Sequence, residues 1–100
     1  MNKTRITITM PPYNPRRYGR PWIARVVDWP VGRRPRLIWG GYIGDARGGV
    51  VEILAAPGNI LRWGQKDHRG KNTTALWGIV RDDGAVHEVS EVEAREAYRG

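Results

Sequence analysis

Short runs with the two-residue period of half-buried strands recur along most of this chain, and one stretch near its C-terminal end carries a helical signature instead. The clearest run is 3–10, where Ile6, Ile8 and Met10 fall on one face and Arg5, Thr7 and Thr9 on the other, as in a strand with one side against a core. A second strand is predicted at 22–28, with Trp22, Ala24 and Val26 alternating against Ile23, Arg25 and Val27. Further strands are predicted at 37–43, 50–54, 60–66, 74–80 and 85–89. The doublet Gly40-Gly41 inside the third strand predicts a bulge, a sharp bend or a close backbone approach.

The helical stretch opens on Ser90-Glu91-Val92-Glu93. This is a capping box, in which the Ser90 hydroxyl accepts the Glu93 backbone N–H and the Glu93 carboxylate reaches back to Ser90. It predicts a helix over 90–98, with early acids and late Arg95 and Arg99 matched to the helix dipole. Val92, Ala97 and Tyr98 would form its inner stripe.

The connections are equally legible. Prolines 11, 12, 15 and 21 with Gly19 exclude a regular element from 11–21, and Pro30, Gly32 and Pro35 do the same for 29–36. Pro57-Gly58 suits the middle of a type II turn, and Gly84 suits the left-handed position of a hairpin turn over 81–84. The segment 60–80 reads as a central hairpin, with Trp63 and Trp77 evenly placed about Gly70. A symmetric turn there pairs Leu61 with Ile79 and Trp63 with Trp77 on one face, leaving Ile60, Arg62, Leu76 and Val80 on the other.

Seven strands and one short C-terminal helix predict a mostly β fold, a small antiparallel barrel or sandwich. An OB-like barrel normally carries a helix between its middle strands, and none is predicted there, so an SH3-like arrangement is preferred. The chain is read as a single domain over 1–100, with a β body at 3–89, long Pro/Arg loops at 11–21 and 29–36, and the helix at 90–98. One hundred residues suffice to bury a core without disulfide or metal.

Charge changes the picture. Residues 1–81 hold 15 of the 17 Lys and Arg against four acids, whereas 82–100 hold six acids against two Arg. A cationic body with an acidic end points to a polyanionic partner, although an Arg-rich composition also produces a plain solvated basic surface. The absence of cysteine excludes disulfides, thiol chemistry and Cys-ligated zinc. No apolar run approaches the roughly 20 residues of a membrane helix and no apolar leader opens the sequence, so a cytoplasmic protein is expected.

Candidate chemistry follows from the cations and the tryptophans. Arg16, Arg17, Arg20, Arg33, Arg34, Arg36, Arg62, Lys66, Arg69 and Lys71 make one phosphate-binding patch if both Pro/Arg loops fold beside the hairpin tip. Trp22, Trp63 and Trp77 are candidates for base stacking, and the Trp-Gly pairs at 39–40, 63–64 and 77–78 would let a nucleic-acid chain approach closely. The chain has no Phe, so for any single ring a place in the core is the stronger expectation, and Trp22 and Trp29 are the two expected to be exposed.

Catalytic groups are poorly arranged. Asp67-His68 falls in a turn, His87 and Glu88 point to opposite faces, and no nucleophile, base and orienting group converge. No enzymatic activity, metal or cofactor is expected. The expected function is that of a small basic module binding single-stranded DNA or RNA with low sequence specificity. The alternative is a protein-binding accessory or inhibitor factor of the mobile-element type docking on an acidic protein surface, because Arg, Trp and Tyr serve both roles. A strand edge at 3–10 or 85–89 offers a route to a homodimer.

Overall fold

A computed structural model describes residues 3–11, 23–42, 49–66 and 75–100, the side chains of Tyr42 and Lys66 excepted. The elements in chain order are β1 (Thr4–Met10), β2 (Ile23–Trp29), β3 (Arg36–Tyr42), β4 (Gly49–Ala55), β5 (Ile60–Lys66), β6 (Leu76–Val80), β7 (Val86–Val89) and α1 (Glu91–Arg99). The chain is mostly β with one short C-terminal helix, as its pattern predicts. Residues 12–21 of the loop expected at 11–21, and the tip of the hairpin expected over 60–80, lie outside the described residues.

The strands form two sheets. β1 and β4 make an antiparallel ribbon, and the other five make a sheet in the order β3-β2-β5-β6-β7. In the ribbon Ile6 faces Ile53 and Ile8 faces Val51, and these side chains are buried while Arg5, Thr7, Thr9, Val50 and Leu54 stay exposed. The buried face packs onto Ala24 and Val26 of β2, Leu61 and Trp63 of β5 and Val80 of β6, forming the main core. A second, smaller core lies on the far side of the five-stranded sheet. There Ile60, Trp77 and Ala94 are buried, with Trp29, Ile79, Val89, Ala97 and Tyr98 packed around them.

Burial on both faces corrects the hairpin register. Ile60 pairs with Ile79, Leu61 with Gly78, Arg62 with Trp77 and Trp63 with Leu76, one residue away from the symmetric pairing. A one-residue shift sends partners to opposite faces, so Trp63 enters the core between the sheets and Trp77 the core beneath the helix. β2 enforces this choice, because Val26 sits beside Trp63 and both must face the ribbon. A strand with cover on both sides needs apolar volume on both, and alternation no longer marks which face is which.

Two further expectations are corrected. The register shift in β3 falls between Val26 and Val27 on its partner, with Trp39 and Leu37 opposite them and Ile38 as the extra residue, and not at Gly40-Gly41. Gly41 serves close approach instead, since a Cβ there would lie 3.2 Å from Cη2 of Trp39. In α1 the Ser90 cap forms as predicted, with the Glu93 N–H donating to Ser90 Oγ at 3.1 Å. Its inward residues are Ala94, Ala97 and Tyr98, while Val92 is exposed.

The turns at one end of the two sheets are tightly specified. Asn59 N donates to Ala56 O at 3.1 Å and Gly58 has φ +87°, the expected type II geometry. Gly84 closes the β6–β7 turn at φ +85°, and Arg33 N donates to Pro30 O at 3.0 Å between β2 and β3. The Tyr98 hydroxyl donates to the Arg33 carbonyl, so the end of α1 fixes the turn that carries the arginines.

Candidate functional site

At this end of the molecule three chain segments build a cationic cleft. Lys3 comes from the approach to β1, Arg33, Arg34 and Arg36 from the β2–β3 connection, and Ala56 and Asn59 from the β4–β5 turn. The cleft encloses about 350 Å³, within the size range of small-ligand sites. Arg33 and Arg34 are exposed because Pro30, the Pro30–Arg33 turn and Pro35 keep this connection out of either sheet. Lys3 and Arg36 also line an adjoining open groove of about 520 Å³ that runs between β3 and the ribbon, flanked by Leu37, Leu54 and the Arg5–Glu52 pair.

Asp28 lies at the floor of the cleft. It continues the inward-facing series Ala24, Val26, Asp28 along β2, and its side chain is 3% exposed. Oδ2 accepts from Asn59 Nδ2 at 3.3 Å and from Arg36 Nε at 3.4 Å, and Arg36 Nη2 also lies 3.4 Å away. Oδ1 is buried with no hydrogen-bond partner among the described residues. Burial raises the Asp28 carboxyl above its ordinary value, and the neighbouring positive charge of Arg36, with a smaller contribution from Lys3, pulls against that rise.

The sequence-derived candidates divide by position. Arg33, Arg34 and Arg36 come together in the cleft. Arg62 lies on the opposite face of the five-stranded sheet, its guanidinium 5.6 Å from the Trp77 ring centroid. Trp63 and Trp77 are buried at 7% and 5% exposure, so in this structure they build the two cores and present no face for stacking. Trp29, expected to be exposed, is half-buried, with its ring centroid 5.2 Å from both Trp77 and Tyr98. Arg16, Arg17, Arg20, Trp22, Arg69 and Lys71 lie outside the described residues, as does the side chain of Lys66.

The single-patch expectation turns on segments that lie outside the described residues. Met10, Ile23, Tyr42, Gly49 and Lys66 all stand at one end of their strands by register, whereas the cleft occupies the other end. Seven-residue strands separate the two ends by roughly 20 Å. The described residues that flank 12–22 and 67–74 therefore stand at the far end of the sheet from the β2–β3 arginines, and those two segments themselves lie outside the described residues.

Three members of the cleft, Lys3, Asp28 and Asn59, were not singled out from the sequence. A signal existed for Asp28, since a carboxylate in phase with Ala24 and Val26 is a charge on the buried face. Nothing local marks Lys3 or Asn59, which join the cleft through the packing of the ribbon on the larger sheet. Among the described residues no helix is long and apolar enough to cross a membrane, and no three His, Cys, Asp or Glu gather as metal ligands. No protein-family model, curated protein or solved structure matches the chain.

Proposed function

We propose that this chain is a small β-rich module that binds single-stranded nucleic acid through phosphate contacts in the Lys3–Arg33–Arg34–Arg36 cleft, with little choice of sequence. The observation that carries the reading is the convergence of four cations from two distant chain segments on one cleft, with a buried Asp28 as the single acid among its described lining residues. Guanidinium groups pair with phosphate oxygens through parallel N–H donors, and a phosphate-led site gives affinity without base readout. The adjoining groove, sharing Lys3 and Arg36, gives the rest of a strand a path along the sheet edge. The SH3-like arrangement and a cytoplasmic location go with this proposal, the former supported by the position of α1 after the last strand.

A second reading, docking on an acidic protein surface, is favoured by Leu37 and Leu54, exposed at 55% and 60% beside the cations. The two separate in a titration of labelled single-stranded oligonucleotides of unrelated sequence. Similar affinities for all of them, at micromolar level or tighter, support the nucleic-acid reading. Absence of binding even at low salt, with capture of one acidic protein, supports the other.

A further inference from the structure

The cationic cleft has a feature that phosphate binding leaves unexplained. A site built only for phosphate has no use for a carboxylate at its floor, because a phosphate oxygen there would meet like charge. Asp28 is nonetheless placed at the floor, held on Oδ2 by Asn59 and Arg36 while Oδ1 has no partner among the described residues. An unsatisfied buried acceptor on a residue that lines a cleft calls for a donor, and a ligand whose anionic part stays on the rim can carry one. A sugar phosphate has this layout, with hydroxyl and phosphate on one compact unit.

We propose that the cleft is selective for ribonucleotide units, with Lys3, Arg33 and Arg34 holding the phosphate and the Asp28 carboxylate accepting the ribose 2′-hydroxyl. The inference rests on the phosphate-binding reading above and names its substrate class, RNA over DNA. Arg36 is the movable part. Its side chain is 57% exposed, and its contacts to Asp28 at 3.4 Å are long for charge-assisted hydrogen bonds. A phosphate on the rim offers that guanidinium a stronger partner, and as it turns outward it uncovers the carboxylate for the hydroxyl. The 2′-hydroxyl is the group by which a protein distinguishes RNA from DNA at a given position.

The test compares matched ribo-, deoxyribo- and 2′-fluoro-oligonucleotides by fluorescence anisotropy, with the wild-type chain and with Asp28→Asn. A 2′-fluoro group cannot donate, so it probes the hydroxyl proton on an unaltered protein. The expected result is ribo-oligonucleotide binding about tenfold tighter than either analogue, the scale of one hydrogen bond to a charged group. In Asp28→Asn the amide oxygen must face Asn59 and Arg36, which turns the NH₂ towards the free position, and the preference falls to about twofold or less. Equal wild-type affinity for all three polymers with a steep salt dependence overturns the ribose inference and leaves phosphate binding standing. Absence of salt-dependent binding to any of them removes both.

Discussion

Replacing Gly78 with alanine tests the packing of the main core around Trp63 with a single methyl group. Gly78 pairs with Leu61 on one side and Glu88 on the other, and the space a side chain would fill is already occupied. A Cβ there would lie 2.5 Å from Cγ1 of Val86 and 3.0 Å from Cη2 and Cζ3 of Trp63, against roughly 3.5–4.0 Å for comfortable carbon contacts. Val86 is half-buried on a four-residue edge strand and can recede. Trp63, 7% exposed between the sheets, cannot. Overpacking of this kind costs about 1–3 kcal/mol, and the better strand backbone of alanine returns about 0.5–1 kcal/mol, for a net loss of about 1–2 kcal/mol. At about 4–8 °C per kcal/mol for a domain of this size, the Tm falls by about 5–15 °C. Thermal unfolding followed by circular dichroism and Trp emission reads this directly. Gly40→Ala is the matched control, since its Cβ comes no nearer than 3.4 Å to any atom, at Cδ2 of the exposed Leu37, with Leu37 Cδ1 and the Ala24 carbonyl in ordinary contact at 3.9 and 4.0 Å, and its Tm stays level or rises slightly. A Gly78→Ala Tm at or above wild type, or equal losses in both variants, refutes the packing described here.

Trp63→Ala empties the main core and costs about 3–5 kcal/mol, a large share of the roughly 5–15 kcal/mol that holds a typical domain together; the urea midpoint measures it. Ser90→Ala removes the helix cap and costs about 1 kcal/mol, seen as lost far-UV helical signal, because nine residues are too few to hold a helix without cap and packing. Asp28 has its carboxyl raised by burial, so the folded chain holds that proton more tightly than the unfolded one. Stability from this group therefore rises as pH falls through the window between its ordinary and raised values, and is lost as pH climbs back. Wild type accordingly gains stability relative to Asp28→Asn on acidification from pH 7 towards about 4, measured as the difference in unfolding free energy; a difference that stays flat or moves the other way contradicts the sign.

Strand positions were legible wherever one face meets water. Alternation in 3–10 placed Ile6, Ile8 and Met10 inward, and the structure buries all three. Turns set by Gly58 and Gly84 were legible because only a few residues accept positive φ. The hairpin register was not, because β5 and β6 are covered on both faces and a one-residue slip leaves apolar side chains on either side. The bulge at Ile38 gave no local sign, whereas Gly40-Gly41 gave a sign that belonged to the Trp39 ring. Of the cleft, the arginine cluster at 33–36 could be read from composition. Its partners Lys3 and Asn59 could not, as they arrive from distant segments through sheet packing.

The cleft itself is tested most directly by the salt dependence of binding to a single-stranded oligonucleotide, measured for the wild-type chain and for Arg33→Glu/Arg34→Glu. Four cations engaging phosphates predict that log affinity falls against log salt with a slope of about −3, and loss of two contacts makes that slope shallower by about 1.4 while weakening binding at low salt. Binding that is absent at low salt, or unchanged in slope and strength in the double variant, would show that the Lys3–Arg33–Arg34–Arg36 cleft is not a nucleic-acid site.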